Sequence, residues 1–160
     1  MQLLISDANI LIDLEEGEIL DIFFQLPYQF SVPDILFFEE LEDQHAHLLE
    51  MGLTLCELSA QTLIYAHELI QRVGGGPSRN DCFALALAKQ ENCPLLSGDE
   101  ALRKAARREA VEVNGSIWVV ERLIHQQLIT AEGARGAYTK MRAQGRRLPW
   151  ELAFQRLDNF

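Results

Sequence analysis

Gln2-Leu3-Leu4-Ile5-Ser6-Asp7 is an uncharged, largely apolar run that ends on a carboxylate. Without Gly, Pro or alternating polar positions, it reads as a strand buried on both faces, the type found in parallel sheets. Beyond Asp7 the spacing turns helical. The same junction recurs at Pro94-Leu-Leu-Ser-Gly-Asp99, and Asp81 opens the helix that follows Gly76-Pro77-Ser78. In an open parallel sheet all strand-to-helix junctions lie along the carboxyl edge, where such folds build their sites. Asp7, Asp81 and Asp99 are thereby expected to meet in one pocket. Two like charges ~4 Å apart repel by about 4 kcal/mol at an effective dielectric of ~20, and a bound divalent cation is the usual relief.

The remaining elements follow the same alternation. Strands are predicted at 2–6, 28–32, 53–57, 94–97 and 111–113, and helices at about 9–16, 59–73, 79–92, 100–109 and 117–127. Ile19, Leu20, Ile22, Phe23 and Phe24 mark a further short apolar helix. Pro33 is expected as the first residue of the helix carrying Phe37, Phe38, Glu39, Glu40 and Leu41, since its missing N–H would be unpaired there anyway. Gly74-Gly75-Gly76-Pro77 stops the long helix and reads as a hinge or linker. No Gly-Lys-Ser/Thr follows it, so it is not a P-loop. The alternation of about five strands with helices predicts an α/β fold. Residues 1–128 form its body, and residues 129–160 are a C-terminal helical extension packed on or beside it.

Composition narrows the functional classes. The 160 residues carry a net charge of −10, yet no Lys or Arg occurs before Arg72, while residues 1–71 hold 14 acids. An acidic half that could bind cations therefore precedes a basic half that could hold a phosphate backbone; a solvated acidic face explains the first half equally simply. No apolar run is long enough for a membrane span. The early acids Asp7 and Asp13 argue against a signal peptide. Cys56, Cys82 and Cys93 lack CxxC spacing and read as reduced structural thiols of a cytoplasmic protein.

Each aspartate also has a purely structural reading. Asp7 and Asp99 suit helix N-caps, and Ser78-x-x-Asp81 suits a capping box. Capping and metal binding are compatible at a helix N-terminus. Asn9, two residues beyond Asp7, could position a metal-bound water or equally serve as a turn residue. Glu39 and Glu40, adjacent on a helix, point about 100° apart, so one faces the pocket; position slightly favours Glu39. Carboxylates and water suit Mg²⁺ or Mn²⁺. His45-x-His47 lies in a polar stretch without an evident third ligand and reads as surface helix. His67 and His125 are isolated. No nucleophile elbow or cysteine–histidine pair supports covalent catalysis.

Taken in order, Ile5-Ser-Asp-Ala-Asn-Ile-Leu-Ile12, Val32-Pro-Asp-Ile-Leu-Phe-Phe-Glu-Glu-Leu41, Ser78-Arg-Asn-Asp-Cys-Phe-Ala-Leu-Ala-Leu-Ala88 and Leu95-Leu-Ser-Gly-Asp99 resemble the acid-bearing segments of PIN domains. The chain is similar to the prokaryotic branch that includes the VapC-type toxins of toxin–antitoxin pairs. Gly115-Ser-Ile-Trp-Val-Val120 and Gln144-Gly-Arg-Arg-Leu-Pro149 resemble segments of uncharacterised members. The resemblance spans roughly residues 2–128. It implies a three-layer α/β/α fold with a central parallel sheet of about five strands and Mg²⁺- or Mn²⁺-dependent cleavage of RNA phosphodiesters, with Asp7, Asp81 and Asp99 holding metal, Glu39 or Glu40 as the fourth acid, and Asn9 and Ser97 at the small polar positions near the metal. It further implies a homodimer and a small antitoxin partner. Arg79, Arg103, Lys104 and Arg107 are the candidate RNA contacts, although Arg103 to Arg108 would equally make a solvated helix face.

Two other readings compete. One is a PIN-like interaction module with little activity. The other is a haloacid-dehalogenase-type phosphoryl-transfer enzyme, whose chemistry wants a second aspartate at the position of Asn9.

Overall fold

The computed structural model describes residues 1–160. Five parallel strands, β1 (Gln2–Ser6), β2 (Tyr28–Pro33), β3 (Thr54–Cys56), β4 (Leu95–Leu96) and β5 (Val113–Asn114), form one sheet in the order β3-β2-β1-β4-β5. β1 lies at the centre, with Ile5 paired to Ser31 on one side and Leu95 on the other. That position explains its composition, since Leu4 and Ile5 are buried on opposite faces of the pleat.

Parallel neighbours need crossovers, and right-handed crossovers that leave β1 in opposite directions fall on opposite faces. α6 (Ala60–Val73), α7 (Arg79–Glu91) and α8 (Glu100–Arg108) pack together on one face. α1 (Ala8–Glu16) and α2 (Leu20–Phe23) cover the other, joined by α9 (Ser116–His125) and α10 (Ala131–Ala143). Short helices α3 (Asp34–Leu36), α4 (Glu42–His45) and α5 (Leu48–Met51) bridge β2 and β3, and α11 (Trp150–Leu157) packs on α10. The three-layer expectation holds. α7 is buried from Cys82 through Ala88, more than one face deep, because it is covered by α6 and α8 while lying on β1, β2 and β4. Its Ala84, Ala86 and Ala88 permit that close approach.

Residues 131–157 share the main core: Ala134, Ala137, Tyr138, Met141, Ala153 and Leu157 are all buried within it. No helix is long and apolar enough to cross a membrane.

Several local expectations shift. Pro33 ends β2, paired with Cys56, and stands before α3 as its cap instead of being its first residue; its ψ of 138° is extended. Residues Phe37–Leu41 form a π-helical turn, in which the Glu42 N–H donates to the Phe37 carbonyl. As their apolar character suggests, Ile19 and Phe23 are core residues, with Phe23 stacked on Phe30. Gly74 caps α6 at φ 63°, the left-handed conformation in which glycine carries no Cβ penalty. Burial pushes the Cys82 and Cys93 thiols up to about 11, which suits inert structural cysteines.

Candidate active site

β1 and β4 are adjacent, and the chain departs from them in opposite directions, so the crevice beyond their carboxyl ends is the switch point of the sheet. Asp7 leaves β1 there. Its N–H bonds the Leu96 carbonyl (3.0 Å), which ties it to the end of β4. Its Oδ1 accepts from the Ile10 N–H (3.0 Å), the N-cap contact of α1. Its Oδ2 is buried and has no hydrogen-bond partner. Burial is the main reason its carboxyl is pushed from the ordinary 3.8 up to about 7; the neighbouring Ser97 and Ile10 lower it, and Asp81 adds to the rise.

Ser97 is buried between the two strand-end aspartates. Its Oγ accepts from the Asp99 N–H (3.1 Å) while its hydroxyl lies beside Asp7. Asp99 caps α8 by accepting from the Leu102 N–H (3.3 Å). Asp81 and Ser78 form the reciprocal capping box of α7: the Asp81 N–H donates to Ser78 Oγ (3.0 Å), and the Ser78 N–H donates to Asp81 Oδ2 (3.1 Å). Burial, with Asp99 adding, raises the Asp81 carboxyl above its ordinary range. The capping readings and the shared edge are thus both present. The carboxylates act on one another as a series, Asp7 with Asp81 and Asp81 with Asp99. Their oxygens do not close to within 4.8 Å as a group of three.

The paired glutamates part company on the π-helical turn. Glu39 takes both its oxygens to Arg79 Nη2, at 2.7 and 2.5 Å, and accepts from Asn80 Nδ2 at 3.3 Å. Arg79 chiefly holds its carboxyl below the usual range. Glu40 instead is raised, by burial first and then by Asp81 and Glu39. Glu40 is thus the glutamate whose carboxyl feels Asp81. π-turns inside helices occur disproportionately at functional sites.

Other candidates scatter. Asn9 is exposed, and its Oδ1 accepts from Arg146 Nη2 (3.2 Å). Arg79 is committed to Glu39. Arg103 donates from Nη1 to the Ser97 carbonyl (3.1 Å), passing over Gly115, where a Cβ would lie 3.0 Å from that nitrogen. Arg103, Arg107, Arg147 and Arg156 line a groove of about 450 Å³ together with Trp118 and the acids Asp13, Glu100 and Glu121, of which Glu100 pairs with Arg107 and Glu121 with Arg156. Lys104 is not among its lining residues.

Three features escaped the sequence reading. Asn80, buried between Arg79 and Asp81, reaches Glu39 and leaves its own Oδ1 unpaired. Buried Asp13 accepts from Ser116 Oγ (2.9 Å) and Arg146 Nε (2.7 Å), which clamps the C-terminal segment to α1. And the histidines do have a third partner: Glu15 stands against both His45 and His47. Local spacing could signal none of these, although the Arg146-Arg147 pair was visible without a place to put it.

A family model described as a PIN domain matches residues 3–160, nearly the whole chain. No curated protein matches it.

Proposed function

Because the chain belongs to the PIN-domain family, whose members are generally nucleases, we propose that it is a divalent-cation-dependent endoribonuclease with its site at the β1/β4 edge. The observation that carries this reading is Asp7: a wholly buried carboxylate with one oxygen unpaired and a raised pKa, which feels Asp81 as Asp81 in turn feels Asp99. A structural cap has no need to bury an orphan oxygen, which costs about 1–3 kcal/mol. A cation ligand does.

The donor set fits Mg²⁺ or Mn²⁺, because it offers carboxylate oxygens and no nitrogen or sulfur. Asp7, Asp81 and Asp99 would hold the ion, which when bound supplies a more acidic water and offsets charge developing on the phosphate. Ser97 orients Asp7 and Asp99 together. Glu40, held above the usual glutamate range, is the acid suited to take a proton from the attacking water. Glu39 restrains Arg79 at the mouth of the site.

The arginine-lined groove adjoins Asp99 through Gly98 and provides the route for the strand. Arg147, and Arg107 once released from Glu100 (3.7 Å), offer charge to phosphates, and Trp118 offers a face on which a base can stack. The same reading gives an antitoxin partner a clear handhold: Phe38, 55% exposed, stands next to the two glutamates. It extends to a homodimer on family grounds.

Incubating the chain with RNA and DNA of one sequence, in Mn²⁺ and then in EDTA, tests the proposal. Cleavage of RNA only, abolished by EDTA, is the expected result. Preference for DNA would overturn the substrate, and cleavage in EDTA would overturn the cation.

A further inference from the structure

At the opposite end of α1 from Asp7, three side chains that the nuclease reading leaves unused come together. Glu15 lies in the last turn of α1, His45 ends α4, and His47 sits in the turn before α5. Eight residues at 1.5 Å rise place Glu15 about 12 Å along the helix axis from Asp7. One ligand atom from each of the three residues lies within 4.8 Å of the other two, and no other three acids, histidines or cysteines in the chain meet that spacing.

The contacts are unusual for a simple ion pair. One carboxylate meets two imidazoles, Oε2 against His45 Nδ1 and Oε1 against His47 Nε2. His45 Nδ1 is shut off from solvent and, despite that approach, makes no hydrogen bond. A buried ring nitrogen without a hydrogen bond is a group whose missing partner an ion can supply. Glu16, Glu42 and Asp43, neighbours in sequence of the three residues, add local negative charge that favours a cation.

We propose that Glu15, His45 and His47 form a second cation site, distinct from the aspartate edge and suited to a borderline ion such as Zn²⁺. Two imidazoles and one carboxylate select such ions over Mg²⁺ or Mn²⁺. Around tetrahedral Zn²⁺ the ligand atoms stand roughly 3.3 Å apart, which small side-chain rotations reach from the spacing seen. His47, 45% exposed at its side chain, leaves one position open to water. The ion would fasten the end of α1 to the α4–α5 turn.

Zn²⁺ titration by calorimetry, with Co²⁺ absorption as the spectroscopic readout, tests this on the full chain and on Glu15→Gln, His47→Gln and Asp81→Asn. Glu15 and His47 both reach solvent, so the first two variants keep the fold, which circular dichroism verifies. The expected result is about one tight equivalent in the wild type and in Asp81→Asn, with tetrahedral Co²⁺ bands. Affinity should fall by at least about tenfold in Glu15→Gln and His47→Gln. Binding lost in Asp81→Asn but kept in the other two would overturn the proposal, as would no binding by the wild type. Neither result bears on nuclease activity, so the two readings fail separately.

Discussion

Asp7 holds a carboxyl group that water never reaches, 1% exposed, with a single hydrogen bond to an oxygen. Its pKa, raised from 3.8 to about 7, means the folded chain keeps a proton that the unfolded chain releases in between. The stabilisation from this group is complete below about pH 3.8 and is lost as pH rises through about 7, by up to about 4 kcal/mol. Asp7→Asn keeps the capping oxygen and removes the charge. In EDTA, urea unfolding should therefore find the variant more stable than wild type at pH 8, by about 2–4 kcal/mol, and nearly equal at pH 4. A variant less stable at pH 8 would mean the carboxylate has a partner not identified here. The two glutamates give a second residue-level contrast. Glu40→Gln should lower the cleavage rate about 100-fold or more, the usual range for a lost proton-transfer group. Glu39→Gln, which only frees Arg79, should cost less than about tenfold. Single-turnover RNA cleavage distinguishes them, and the reverse order would make Glu39 the fourth acid.

The elements divide into those whose identity is local and those whose identity depends on distant contacts. The β1–Asp7 and β4–Asp99 junctions were legible because a buried parallel strand must be apolar and its exit must cap a helix. The Ser78–Asp81 box was legible for the same local reason. The π-helical turn at Phe37–Leu41 was not, since α and π turns differ by one inserted residue and share the same apolar spacing. Pro33 fits a strand end or a helix start with equal ease, because its φ near −60° serves both. The Asp13–Arg146 clamp joins residues 133 positions apart, and Glu15–His47 joins residues 32 apart, so only the folded chain brings them together. The clamp is testable as an element-level feature. Burial raises the Asp13 carboxyl even with Arg146 and Ser116 against it, so removing the arginine strands a buried acid. Arg146→Ala should cost about 3 kcal/mol in urea unfolding at pH 7. Asp13→Asn, which removes the charge itself, should cost clearly less. Equal costs would mean the ion pair contributes nothing beyond packing.

Across the whole molecule, charge is sorted by sequence half: every Lys and Arg lies at or beyond residue 72, and the acid edge draws on both halves. The fold sets the arginines of α8 and of the C-terminal segment around one groove that opens beside Asp99. An overall charge of −10 discourages indiscriminate nucleic-acid binding, while the local groove supports it. Strand binding there should weaken with salt. Arg107→Ala combined with Arg147→Ala should reduce the salt dependence of single-stranded RNA affinity by about 1.4 in log–log slope, two phosphate contacts' worth. An unchanged slope would move the strand elsewhere on the surface. The central claim is that the switch-point aspartates are a cation-dependent nuclease site and not merely three helix caps. It is tested most directly by cleavage of a structured RNA in Mn²⁺ with wild type and Asp81→Asn, both verified as folded. Asparagine keeps the shape and the capping oxygen, so a cap would survive the change and a cation ligand would not. The account predicts cleavage by the wild type and a loss of at least about 100-fold in the variant. Equal cleavage by the two proteins, or none by the wild type on RNA, would contradict it.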